Sequence, residues 1–268
     1  MARAKLADGA ARRANGGRLG LILGDREIAR RVAAKFPDAV IVGVKGSYTG
    51  AADLLVPLAG LGRAVKFMKK RGVGRVAMAG GVHGAKLGFS WLLLKFVFLL
   101  IFRRNRFDGV LRLVAHEFEK KGIAVASLLD LVPEMAAGKG VLGRVRPGAE
   151  DMAGIAAGWE HAREFARSDR GQALAVRGGR VVATERWAGT DELVKRAGKI
   201  ARGCVLIKLM KPEQDARLDI PVIGPYTIKT LAAAGFKGVA VEAGRTIIDD
   251  ARATTAAADK AGIFIVGI

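Results

Sequence analysis

Cysteine is almost absent from this 268-residue chain. The one residue, Cys204, cannot close an internal disulfide, and no Cys/His cluster has zinc-ligand spacing, so the chain reads as a protein of a reducing cytosol with Cys204 as core packing. Histidine is nearly as scarce: His83, His116 and His161 lie far apart with no metal-ligand spacing. No Walker-type phosphate loop occurs, and no G-x-G-x-x-G string joins a predicted strand directly to a helix, which disfavours a Rossmann-like dehydrogenase. Aromatic residues are only 6% of the chain, and no helix-turn-helix, RRM or zinc pattern interleaves them with the basic residues. Acidic residues are also in deficit. The 45 Lys and Arg against 25 Asp and Glu give a formal charge of +20, which attracts polyanions: nucleic acid, anionic lipid or a phosphorylated substrate. The excess is spread from Arg12 and Arg13 through Lys69–Arg71 and Arg103–Arg106 to Lys195–Lys199, so a solvated basic face accounts for much of it.

What is present is a globular pattern. Half of the residues are hydrophobic, at 51%, and apolar runs alternate with helical periodicity. Residues 1–18, rich in Ala, Arg and Gly without a signal-peptide apolar core, read as a basic disordered extension. Strands are predicted at Leu19–Gly24, Ala39–Val44, Val76–Ala79 and Ala124–Ser127, with helices at Arg26–Phe36, Leu61–Lys70 and Asp108–Lys121 between them. Such alternation implies a parallel sheet. The glycine-rich basic stretch 137–147 reads as a linker. Beyond it come helices at Ala149–Phe165, Thr190–Ile200, Tyr226–Ala234 and an Asp250-capped helix to Ala261. Strands are expected at Gln172–Val176, Arg180–Thr184, Cys204–Lys208, Gly238–Glu242, Thr246–Ile248 and Ile263–Val266. The expected fold is therefore α/β with two lobes: an N-terminal Rossmann-like parallel-sheet lobe, 19–136, and a C-terminal mixed α/β lobe, 148–268, expected to be catalytic.

The segment Phe89–Phe102 (FSWLLLKFVFLLIF) is too short to span a bilayer, which needs about twenty apolar residues. With Arg103, Arg104 and Arg106 following, it suits a helix at an anionic membrane interface; a buried helix or a homodimer contact are the alternatives.

Several clusters have residue types that handle phosphate. Gly20, Gly24 and Gly80 lie in or after strands, where backbone can approach a phosphate, although glycines after strands also serve as plain tight turns. The run from Lys211 to Pro221 packs two cations and three carboxylates between prolines that resist helix. Carboxylates can hold Mg²⁺ while Lys and Arg neutralise phosphate oxygens; a self-paired charged surface loop is the alternative. Gly189-Thr190-Asp191 opens a helix that Thr190 or Asp191 could cap, and Glu242-Ala243-Gly244-Arg245 places an acid and a cation at a turn.

Taken in order, these motifs resemble one family. They are Gly171-Gln172; Glu185 with Gly189-Thr190-Asp191; Lys211-Pro212-x-Gln214-x-x-Arg217-x-Asp219-x-Pro221-x-Ile223-Gly224; and Glu242-Ala243-Gly244-Arg245, with the ending Ala257-Ala258-Asp259 to Gly267-Ile268. The family is the two-lobed UDP-2,3-diacylglucosamine pyrophosphatases of lipid A biosynthesis, the type that is not calcineurin-like, and the likeness runs from about Leu19 to Ile268. It implies Mg²⁺-dependent hydrolysis, with Mn²⁺ as a substitute metal, of a UDP-diacylglucosamine lipid to UMP and 2,3-diacylglucosamine 1-phosphate. The expected setting is cytoplasmic, peripheral to the anionic inner-membrane surface. Asp219 matches the family's catalytic aspartate, as a metal ligand or water-orienting group. Asp191 and Lys211 join it as expected catalytic residues, and Glu185 with Asp191 and Asp219 as the expected metal set. Gly20, Gly24, Gly80, Gln172, Thr190, Gln214, Arg217 and Arg245 are the expected substrate-binding residues. A basic nucleic-acid-binding protein and another Rossmann-like nucleotide-binding enzyme are the competing readings.

Overall fold

The computed structural model describes residues 17–81, 106–168, 171–186, 188–212 and 214–268, without the side chains of 106–110. The apolar segment Phe89–Phe102, His83 and residues 1–16 of the N-terminal extension lie outside them, and Arg18, expected at the end of that extension, is in the first strand. Two compact units emerge, one of residues 1–131 with Asp215–Asp219, the other of Val132–Gln214 with Ile220–Ile268.

In the first unit, strands β1 (Arg18–Leu23), β2 (Val40–Val44), β3 (Leu54–Val56), β4 (Val73–Ala79) and β5 (Ala124–Val125) form a parallel sheet in the order β3-β2-β1-β4-β5. Helices α1 (Glu27–Lys35), α2 (Leu61–Lys70) and α3 (Arg106–Glu119) make the crossovers a parallel sheet needs. The amphipathic spacing of α2 explains its place: Leu61, Ala64, Val65 and Met68 are buried while Lys69 and Lys70 close its last turn, where cations complement the helix dipole. These residues join Val40, Val42, Val76, Phe118, Ile123 and Val125 in one core. Gly20, in mid-strand, lets Met68 and Val73 close on β1, since a Cβ there would come within 2.9 Å of both.

The second unit has a six-stranded mixed sheet in the order β6-β13-β11-β9-β7-β8. Its members are β6 (Gly140–Val141), β7 (Ala173–Arg177), β8 (Arg180–Thr184), β9 (Val205–Lys208), β11 (Gly238–Val241) and β13 (Phe264–Gly267). A separate short pair joins β10 (Val222–Ile223) to β12 (Ile247–Ile248). Strands β9, β11 and β13 run parallel, and β6, β7 and β8 run antiparallel to their neighbours. Side chains alternate between two cores. Ala175, Leu206, Val239 and Ile265 face one, against α5 (Thr190–Ile200), α6 (Pro225–Ala233) and α7 (Ala251–Ala261). Leu174, Val176, Val205, Ile207, Ala240 and Val266 face the other, against α4 (Ala149–Arg167). The Asp250 side chain caps α7 by accepting from the Ala253 amide at 3.0 Å, and Cys204 is fully buried in the first of these cores.

Two boundaries differ from the sequence reading. The stretch 137–147 is no free linker: β6 lies within it and pairs with β13, and the Arg144 and Val145 amides donate to Asp259 Oδ1 at 2.7 and 3.3 Å. Residues Asp215–Asp219, expected in the second lobe, belong to the first unit. Leu218, only 9% exposed, completes the first unit's core, an apolar anchor in a run that reads as charged.

Candidate active site

Parallel strands gather ligands at their carboxyl ends, where loops and helix N-termini present backbone amides. In the first unit β1 and β4 are neighbours, with connections leaving to opposite sides, and their ends carry Gly24-Asp25 and Gly80-Gly81. The two ends press together: the Gly24 amide donates to Ala79 O at 2.9 Å and the Asp25 amide to Gly81 O at 2.8 Å. A Cβ at Gly24 would collide with Gly81 O, and one at Gly80, whose φ is 85°, with Asp25 O. Gly24 and Gly80 thus stand at the expected edge, where they allow close backbone approach, and the Gly24 amide is already engaged. Gly20 lies within the strand and is buried there against Met68 and Val73, so packing explains it.

Arg26 begins α1 with φ 79° and ψ 155° and no side-chain cap, a conformation that favours glycine strongly. Beyond β2, Tyr48 is 7% exposed, and burial raises its phenol above the ordinary value, against the pull of Arg30, so the ring stays neutral. Neither residue stood out in the sequence, because a backbone dihedral and a buried tyrosine leave no periodic signal.

Beside β5 runs the segment Asp215–Asp219. Ser127 Oγ donates to Ala216 O at 3.0 Å, and Arg217 Nη1 donates to Glu119 Oε1 at 2.8 Å. Arg217 also donates through Nε and Nη2 to the Asp215 carboxylate. These bonds hold the Asp215 carboxyl below its usual range and the Arg217 guanidinium further above its own. Arg217, expected at a phosphate, is committed to two carboxylates and acts as an anchor. Asp219 closes the turn, its amide donating to Asp215 O at 3.3 Å.

The second unit brings the other expected residues to one edge of its sheet. Gln172 precedes β7, Glu185 follows β8, Met210 and Lys211 follow β9, and Glu242 and Arg245 follow β11. Glu185, 9% exposed, accepts from the Gln172 amide at 2.8 Å and the Thr190 hydroxyl at 2.6 Å, one on each oxygen. That double engagement makes Glu185 a brace between the starts of β7 and α5, and a carboxylate so oriented can still ligate a cation. Thr190 is the first residue of α5 and does not cap it; the cap position is Gly189, with φ 85° and ψ −179°. Asp191, one residue further, is part-exposed in the helix's first turn.

Gln214 Oε1 accepts from the Lys211 amide at 3.1 Å, and the Gln214 amide donates back to Lys211 O at 3.1 Å, fixing the backbone that carries Lys211. Glu242 takes the Met210 amide on Oε2 and Arg245 Nη1 on Oε1, each at 3.0 Å. Lys208, 9% exposed, donates from Nζ to Val222 O at 3.1 Å. A lysine ending the apolar strand Val205–Lys208 was the signal that could have found it. Gln172 Oε1 and Thr246 Oγ1 are buried with no hydrogen-bond partner among the described residues. An edge with cations, amide groups and bracing carboxylates can bind and orient an anionic ligand.

Among the described residues no three His, Cys, Asp or Glu side chains form a metal cage. Mg²⁺ does not demand one, since it is commonly held by one or two carboxylates and substrate phosphates with its own waters. Asp219 and Asp191, each part-exposed, fit that donor chemistry, and Glu185 is a buried carboxylate oriented by one hydrogen bond on each oxygen.

An N-terminal parallel α/β unit and a C-terminal mixed-sheet unit, each with glycines or charged groups at strand ends, define a two-unit α/β class. Residues 18–135 match the LpxI N-terminal domain and residues 138–266 the LpxI C-terminal domain. The chain belongs to the LpxI family. A relative from Caulobacter vibrioides, named UDP-2,3-diacylglucosamine pyrophosphatase LpxI, is 36% identical over 222 residues, covering 77% of this chain and 79% of that protein.

Proposed function

We propose that this enzyme hydrolyses the pyrophosphate bond of UDP-2,3-diacylglucosamine, releasing UMP and 2,3-diacylglucosamine 1-phosphate in lipid A biosynthesis. The observation that carries the reading is the relationship to a named UDP-2,3-diacylglucosamine pyrophosphatase across both units. The anchored turn ending at Asp219 supports it. In the reaction a water oxygen bonds to one phosphorus while the bridging P–O bond breaks and the bridging oxygen leaves on the other phosphate. Asp219 orients that water, Asp191 assists as a second carboxylate, and Lys211 and Arg245 place positive charge against the phosphate oxygens. Gln172 and Thr190, braced through Glu185, contribute to substrate binding, Gln214 fixes the backbone that carries Lys211, and Gly24 and Gly80 shape the edge facing the nucleotide.

Asp219 or Asp191 would hold Mg²⁺, or Mn²⁺ as its substitute, together with the substrate's phosphates, and the ion would neutralise charge on the pyrophosphate. The diacyl chains of the substrate and the net charge of +20 together favour work at the anionic inner face of a membrane. No helix among the described residues is long and apolar enough to cross a bilayer. The test is UMP release from UDP-2,3-diacylglucosamine in detergent, with Mg²⁺ or EDTA, beside Asp219→Ala. Metal-dependent release lost in the variant is expected, and wild-type turnover by Asp219→Ala would refute the role given to this residue.

A further inference from the structure

Each residue leading to Asp219 is fixed by a different contact within the first unit. Asp215 closes the turn twice, its backbone oxygen accepting from the Leu218 amide at 2.9 Å and its Oδ1 from the Arg217 amide at 3.0 Å. Ala216 is held through its carbonyl by Ser127, whose Oγ also accepts from the Leu129 amide at 3.2 Å and so has a defined direction. Arg217 reaches out of the turn to Glu119 at the end of α3, and Leu218 is buried in the core. A loop that only displayed charge would need none of these ties.

We propose that Ser127, Glu119, Asp215 and Arg217 are positioning residues that hold Asp219 in register for hydrolysis, an inference resting on the reading of Asp219 as the group that orients the attacking water. Orientation of reacting groups is where small displacements are costly, since about 1 Å of misplacement can cost on the order of a hundredfold in rate. Ser127 and Glu119 lie far from the Lys211–Pro221 motif in sequence and act through it. Arg217, in the motif, serves it as a strut between Asp215 and Glu119.

The experiment uses the full chain with Ser127→Ala, Ser127→Thr, Glu119→Ala and Asp219→Asn, following amide hydrogen exchange across 215–219 and steady-state hydrolysis of UDP-2,3-diacylglucosamine. Glu119 is 41% exposed at a helix end, so its replacement leaves the fold intact even if Ser127→Ala does not. Expected are faster exchange at Leu218 and Asp219 in Ser127→Ala and Glu119→Ala, and kcat lowered about tenfold in each. KM should stay within about twofold, because the lost interaction matters for the transition state rather than for binding. Ser127→Thr, which keeps the hydroxyl, should restore both exchange and kcat. Faster exchange with unchanged kcat, or unchanged exchange in both alanine variants, would overturn the proposal while an inactive Asp219→Asn leaves the functional reading standing. Wild-type turnover by Asp219→Asn would overturn the reading of Asp219 and the positioning role with it.

Discussion

Replacing Arg26 by glycine should stabilise the first unit. Arg26 holds φ 79° and ψ 155° at the start of α1, in a region almost reserved for glycine, where another residue costs about 1–3 kcal/mol. Glycine relieves that strain, and its greater freedom in the unfolded chain returns roughly 0.5–1 kcal/mol of the gain. The arginine side chain is exposed and makes no cap for the helix, so its removal loses little. The net is a gain of about 1 kcal/mol, which for a unit of this size raises the melting temperature by about 3 °C. Arg26→Ala is the matching control, because it removes the same side chain and keeps the strained backbone. Paired thermal and urea unfolding of the three proteins decides the matter. If Arg26→Gly is no more stable than Arg26→Ala, the backbone at this position is not strained and the argument fails.

Two further outcomes concern the braces. Thr190→Val leaves one oxygen of the buried Glu185 without its 2.6 Å donor and should cost about 1.5–3 kcal/mol in chemical denaturation; a neutral result would mean that Glu185 finds water there. Arg217 depresses the Asp215 carboxyl in the folded state, so the stability from their bond is fully present above the ordinary aspartate value of about 3.9 and is lost as pH falls through the lower folded value. Exchange at Leu218 should therefore rise on the acid side in the wild type, and Asp215→Asn, loosened at every pH, should lose that acid-side step. An identical profile in the variant would place the titration elsewhere.

Much of the fold was legible because long elements bury a periodic face. Leu61–Lys70, Arg180–Thr184 and Thr190–Ile200 were located to the residue, and most other helix and strand ends shifted by one to three positions. What escaped were β3, β6 and β10, two or three residues each and too short for any period to show, with β6 and β10 also held by partners that come later in the chain. The glycine-rich run around β6 reads as a linker because its pairing with β13 depends on the far end of the chain. Residue types at the site were legible, and their partners were not. Glu185 and Arg217 have the chemistry of a metal ligand and a phosphate binder, and their hydrogen-bond partners, set by the fold, leave no trace in residue type. Leu218 docks the motif into a core, but with Ala216 and Ile220 beside it nothing in the sequence singles it out.

The membership of Asp215–Asp219 in the first unit bears on how the protein is made. A ribosome releases residues 1–131 long before the segment that fills the edge of that unit's core, so Leu218 arrives only after most of the second unit has emerged. The first unit then cannot finish folding as an N-terminal domain on its own, as domains commonly do during synthesis. A gene fragment ending at the apparent boundary should yield a product with an unfilled apolar seam beside β5, prone to aggregation. Asp219 reaches its final place only when nearly the whole chain exists, so an incomplete nascent chain lacks the assembled site.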